Sequence, residues 1–173
     1  LPPAIAFDIS VQNEWKVVKM AEKEKITVAM DQTKAVRKQK LDLWFRDSPD
    51  LGRGCALSIR IRDVLCHYHS RFQEIAVFET DQLGRMLVLD DVTMLTEFDE
   101  FAYHEMIAHV PMMTHPNPSR VLVIGGGDGG TIREVLKHPG VTEVHLCEID
   151  EEVVVACRKF LPSLASGFDD PRV

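Results

Sequence analysis

No window of this chain approaches the apolar run that a membrane-spanning helix needs, and its amino end shows no signal-peptide pattern. Its four cysteines, Cys55, Cys66, Cys147 and Cys157, form no Cys-x-x-Cys pair. Reduced and mostly structural thiols are therefore expected, as suits the cytoplasm, with Cys147 inside a buried strand. There is no internal repeat and no low-complexity tract. The rest of the composition is ordinary. With 45% hydrophobic and 27% charged residues, the 173-residue chain reads as soluble and globular. It is long enough for one good core, or for one small domain plus part of another.

Charge is unevenly placed. Residues 1–43 carry a net charge of +2, whereas the remainder accounts for −9 of the overall −7. An acidic body argues against nucleic acid as a partner and is compatible with cationic small molecules.

Three segments emerge. Residues 1–43 include the polar stretches Glu22–Lys25 and Lys34–Lys40 and hold no chemical motif, so they read as an extension. Residues 44–95 are β-like. Ala56–Ile61, Glu74–Phe78 and Arg85–Leu89 each fit a strand, and Gln82-Leu-Gly84 supplies a hairpin turn between the last two. From residue 96 a helix follows. Thr96 and Asp99 form a capping-box pattern, and Phe101, Ala102, Met106, Ile107 and Val110 give an apolar stripe that Pro111, Pro116 and Pro118 end.

Next comes the densest signal. Val121-Leu-Val-Ile124 reads as a buried strand, Gly125-Gly-Gly-Asp-Gly-Gly130 as a glycine-rich turn, and Ile132, Val135 and Leu136 as one face of a helix. Strand, glycine turn and helix open a nucleotide-binding α/β domain, because glycines admit a ligand close to the backbone and the helix start offers unpaired N–H groups. Gly125-x-Gly127-x-x-Gly130 also fits the dinucleotide fingerprint, so the spacing alone does not choose a ligand. Asp128 favours one class: its carboxylate would repel a pyrophosphate and attract a cationic adenosyl compound. Val144–Cys147 reads as the next strand, with Glu148 at its carboxyl end. That acid is either solvated or an acceptor for ribose hydroxyls. Asp150 fits an N-cap for a helix running to about Phe160, stopped by Pro162.

No metal site is expected. His104 and His109 resemble a zinc-protease pair with one residue too many, which turns them about 140° apart at roughly 100° per residue. The pair His67-x-His69 lacks a third ligand.

Several segments together carry a family resemblance. Trp44-Phe45, Arg71–Ile75, Gly84–Asp90, Thr96–Met106, His115–Pro118, Val121–Gly130, Leu146–Asp150 and Gly167–Pro171 resemble the amino-terminal half of spermidine synthases, the polyamine aminopropyltransferases. The implied fold is α/β: a small β-rich amino-terminal domain followed by the first part of a Rossmann-like, methyltransferase-type domain. The implied reaction moves the aminopropyl group of decarboxylated S-adenosylmethionine to putrescine, giving spermidine and methylthioadenosine. The adenosyl compound is then a co-substrate, and no cofactor is implied.

By the same resemblance Gln73, His104, Asp128 and Glu148, with Gly125 and Gly127, hold the donor, and Tyr103 lines the acceptor pocket. A homodimer or homotetramer is implied for the full-length family protein. Phe98 stands where the family often has a basic residue, and Asp91 where it often has a turn glycine. The family's Asp-Ser-x-Asp-Pro-like catalytic segment is expected beyond Val173, so the 173 residues alone are expected to be inactive. The alternatives are a piece of an NAD-dependent oxidoreductase or a non-catalytic nucleoside-binding module.

Overall fold

The computed structural model describes residues 42–47 and 56–173. The expectation for the extension over residues 1–43 therefore lies almost wholly outside the described residues, as does Cys55.

Five strands form an antiparallel sheet in sequence order: β1 (Leu43–Arg46), β2 (Ser58–His69), β3 (Glu74–Thr80), β4 (Arg85–Leu89) and β5 (Val92–Thr96). β2 begins with strict alternation, burying Ile59 and Ile61 and exposing Ser58, Arg60 and Arg62. Register shifts after Ile61 and after Val64 then bend it. The curled sheet encloses Phe45, Ile59, Ile61, Ala76, Phe78, Met86 and Val88. Its other face packs Ile75, Val77, Leu87 and Leu95 against Val153, Ala156, Cys157 and Leu161. β3 and β4 are thus covered on both sides, which is why their sequences are nearly continuous apolar runs.

The β3–β4 hairpin closes as its turn chemistry predicts, with Thr80 N–H donating to the Gly84 carbonyl at 3.0 Å. Gly84 has φ +69°, where a side chain would be strained, and an added Cβ would lie 2.7 Å from Glu97 Oε2. Between β4 and β5, Asp90 and Asp91 both adopt positive φ, 48° and 65°. That pairing is the signature of a tight two-residue hairpin turn.

Helix α1 (Glu100–Thr114) departs from expectation in three respects. Thr96 lies in β5, so its hydroxyl bonds the Asp99 carboxylate at 2.6 Å one turn before the helix begins and does not cap it. Pro111 sits inside the helix. The chain leaves helical geometry only at His115, whose ψ of 133° is the extended conformation that the following Pro116 imposes. Most important, the expected stripe of Phe101, Ala102, Met106, Ile107 and Val110 is not the buried face. The buried residues are Glu100, His104, Ala108 and Met112, an i, i+4 row. Two ionisable side chains can occupy that row because partners on another element neutralise them.

Beyond α1, β6 (Arg120–Ile124), α2 (Gly130–Leu136) and β7 (Glu143–Cys147) make a parallel βαβ unit with Val121 opposite Val144 and Val123 opposite Leu146. Val123, Ile132, Val135, Val141 and Val144 pack with Ala108 and Met112 of α1. The expectation of a fully buried β6 is corrected here: Leu122 and Ile124 are 60% and 81% exposed. Strand side chains alternate between faces, and among the described residues only one face of this pair is covered by helices. Cys147 is exposed for the same reason. Helix α3 (Glu151–Phe160) matches expectation closely. Asp150 accepts from Glu152 N–H at 3.1 Å as N-cap, and Pro162 follows the end. A short 3-10 helix over Ala165–Asp169 closes against α2.

Candidate functional site

The site grows out of the turn between β6 and α2. Gly125 continues the parallel ladder by one bond, donating to the Cys147 carbonyl at 2.9 Å. Gly127 runs beneath Glu148. Its N–H donates to Glu148 Oε2 at 2.9 Å, and an added Cβ would stand 3.0 Å from the same oxygen. Here glycine is needed for closeness rather than for an unusual φ. Glu148 Oε1 also accepts from Asp150 N–H at 3.1 Å. The strand-end acid is therefore half-buried and braced by two backbone donors at the glycine turn.

Asp128 folds over the start of α2, its Oδ1 accepting from Gly130 N–H at 2.7 Å. The same oxygen lies 3.1 Å from His104 Nε2. The other imidazole nitrogen, Nδ1, lies 2.6 Å from Glu100 Oε2. Arg133 of α2 in turn forks onto Glu100, with its two terminal nitrogens donating at 3.0 and 2.9 Å. A line of alternating charge thus runs Arg133, Glu100, His104, Asp128, from the back of α2 to the turn.

Burial of His104, which is only 1% exposed, works against its charge, but the hydrogen bonds to Asp128 and Glu100 outweigh it and raise its pKa. Burial likewise opposes ionisation of Asp128, and the His104 and Gly130 donors overcome it and hold the carboxyl below its ordinary range. The same holds for Glu100, where the Arg133 fork and His104 prevail over burial. With both ring nitrogens facing carboxylates, the imidazolium is the form that donates on each side.

A second hub ties the five-stranded sheet to β7. Asp150, 1% exposed, accepts from Ser70 Oγ at 2.7 Å and from Gln73 Nε2 at 2.9 Å, besides capping α3. Ser70 and Gln73 belong to the turn between β2 and β3. Tyr103 of α1 is 63% exposed, with its ring edge-on to His104 at a centroid distance of 5.3 Å.

Some of these groups meet at a cavity of about 750 Å³. Gln73, Tyr103, His104, Gly127, Asp128 and Glu148 all line it. Gly125 shapes the turn and is not part of the wall. His109, the other half of the zinc-like pair, faces away, 2.9 Å from His138 and 3.2 Å from Glu134. Sequence reasoning missed Glu100, Arg133 and Ser70 and saw Asp150 only as a cap. The spacing of Glu100 four residues before His104 was the one available signal.

Two family descriptions match successive parts of the chain. Residues 43–97 match the family described as spermidine synthase tetramerisation domain, and residues 100–173 match the spermine/spermidine synthase domain. A polyamine aminopropyltransferase of Leptospira biflexa serovar Patoc is 54% identical over 77% of this chain and 47% of its own. A spermidine synthase of Dictyostelium discoideum is 51% identical over 75% of this chain and 46% of its own. The crystal structure of spermidine synthase from Thermotoga maritima superposes with a TM-score of 0.73 at 47% identity, covering 79% of this chain and 49% of that one. A spermidine synthase in complex with the transition-state analogue AdoDATO has the same score and identity, over 79% of this chain and 47% of that one. The chain spans about half the length of the curated relatives it matches. On the strength of both matched regions, this chain belongs to the spermine/spermidine synthase family.

Proposed function

We propose that the cavity beside the glycine turn binds decarboxylated S-adenosylmethionine for aminopropyl transfer to an amine such as putrescine. In this reading Glu148 and Gln73 receive the ribose, Asp128 the propylammonium end of the donor, and Tyr103 lines the acceptor's path. His104 acts from beneath, through Asp128, because both its nitrogens already face carboxylates. The observation that carries the reading is the convergence of two carboxylates, Asp128 and Glu148, on one cavity at a glycine turn. A dinucleotide would have to lay its pyrophosphate against Asp128, so the oxidoreductase alternative is disfavoured.

The chemistry suits such a site. A neutral amine attacks the carbon next to a sulfonium, that carbon–sulfur bond breaks, and a neutral thioether leaves without needing a proton. Alignment, charge complementarity and a base that keeps the amine neutral are what a protein must supply. We assign the base to none of the 173 residues. Assembly of the whole protein through its five-stranded sheet, as a homodimer or homotetramer, and a cytoplasmic location belong to the same proposal.

Calorimetry on the 173-residue chain tests it. Decarboxylated S-adenosylmethionine and methylthioadenosine should bind and NAD should not. Tight binding of NAD without binding of the decarboxylated donor would overturn the reading.

A further inference from the structure

We infer that Asp150 and Ser70 are positioning residues that set the direction of the Gln73 amide, so that Gln73 offers the cavity a hydrogen-bond acceptor and not a donor. This rests on the reading of the cavity as a nucleoside site with Glu148 and Gln73 at the ribose, and adds what turns the Gln73 amide toward it.

A carboxylate only accepts hydrogen bonds, so the amide group that faces Asp150 Oδ2 at 2.9 Å has to be the NH₂ of Gln73. Ser70 Oγ reaches the same oxygen at 2.7 Å, and it also accepts from the N–H groups of Phe72 and Gln73 at 3.0 and 3.1 Å, which fixes the turn that carries Gln73. One N–H of that NH₂ is taken by Asp150, and we place the carbonyl oxygen, on the opposite arm of the amide, toward the cavity that Gln73 lines. Glu148 on the neighbouring wall is also an acceptor, and it too leans on residue 150, through the Asp150 N–H at 3.1 Å. Two acceptors from opposite halves of the chain thus lean on one buried residue, Gln73 on its carboxylate and Glu148 on its backbone N–H. Paired acceptors fit a diol, such as the two hydroxyls of a ribose, and would leave a deoxyribose half-recognised.

The hub can be inverted without removing it. Asp150 Oδ1 caps α3 by accepting from Glu152 N–H. In Asp150→Asn the amide oxygen is held at that cap, since asparagine caps as well as aspartate. The NH₂ then takes the place of Oδ2 and faces Gln73, whose amide has to turn over to accept from it. The cavity then meets a donor where it had an acceptor.

The experiment measures affinities of the 173-residue chain for methylthioadenosine and for its 2′-deoxy and 3′-deoxy analogues. The unaltered chain should prefer the ribose compound over at least one analogue. Asp150→Asn should weaken the ribose compound about three- to tenfold, the scale of one neutral hydrogen bond, and leave that analogue nearly unchanged. Adding Gln73→Glu to Asp150→Asn should restore the preference, because one carboxylate oxygen accepts from the asparagine while the other faces the cavity. Gln73→Ala should abolish the preference over the analogue that lacks the hydroxyl read by Gln73, while Glu148 keeps the preference over the other. Equal loss for all three ligands in Asp150→Asn, or preferences over both analogues unchanged in Gln73→Ala, would overturn the inference while the nucleoside reading stands. If the unaltered chain binds none of the three, the nucleoside reading itself fails and the inference goes with it.

Discussion

Gly130 has no positive φ, yet it is where a single methyl group should do most damage. It is the first residue of α2, and an added Cβ would fall 2.6 Å from His104 Cγ, with Nδ1 and Cε1 nearer still. On helix propensity alone, Gly130→Ala would stabilise by up to about 1 kcal/mol. Against that, the ring has to move away from both Asp128 and Glu100. Each of those is a hydrogen bond to a charged group, of about 1.5–3 kcal/mol, and displacement leaves two carboxylates facing a shifted cation. We expect a net loss of about 2–4 kcal/mol. For a chain of this size that lowers the unfolding midpoint by roughly 4–16 °C. Gly140→Ala is the matched control, since nothing lies within 4 Å of its added Cβ, and its effect should stay within about 0.5 kcal/mol. Thermal unfolding followed by circular dichroism compares the two. A Gly130→Ala midpoint at or above that of the unaltered chain would refute the packing of His104 against the turn.

Asp128→Asn keeps the shape of the turn and removes its charge, so decarboxylated S-adenosylmethionine should bind about ten- to a hundredfold more weakly, the scale of a charge-assisted hydrogen bond, while methylthioadenosine, lacking the ammonium, should be almost unaffected in calorimetry. The Glu100–His104–Asp128 line should give stability a two-sided pH dependence, measured as unfolding midpoint against pH. Asp128 and Glu100 titrate below their ordinary values when folded, so their contribution is present above about pH 4 and fades as pH falls through the folded values; His104 titrates above its ordinary value, so its contribution is full below about pH 6.5 and fades as pH rises. His104→Gln should flatten the alkaline limb.

The elements legible in the sequence are those whose causes are local. The glycine turn, the Asp150 cap with its helix, and the β3–β4 hairpin all follow from residues within one or two turns of one another. α1 was legible as a helix and illegible as to its face. Its apolar residues Phe101, Met106 and Ile107 outnumber those on the buried row, and no periodicity rule would bury a glutamate and a histidine in their place. What reverses the choice is Arg133, thirty-three positions after Glu100, whose fork supplies the partner that a buried carboxylate requires. β6 was misjudged for the opposite reason: Val-Leu-Val-Ile describes what the strand would tolerate on both faces, while burial depends on what actually covers it.

The site shows the same division at higher stakes. Asp128 and Glu148 could be found because a glycine turn and a strand end each announce where an acid will stand. Gln73 entered only through family resemblance, which gives a position and no orientation. An amide is two opposite chemistries in one shape, and which of them meets a ligand is decided by the group behind it. Here that group is Asp150, seventy-seven positions away, placed by its duty as the cap of α3. On the inference drawn above, a structural cap and a recognition surface are one decision in this protein. If so, selection for a ribose over a deoxyribose acts on a residue that never touches the ligand, and a substitution as mild as aspartate to asparagine should be costly there and cheap at an ordinary helix cap.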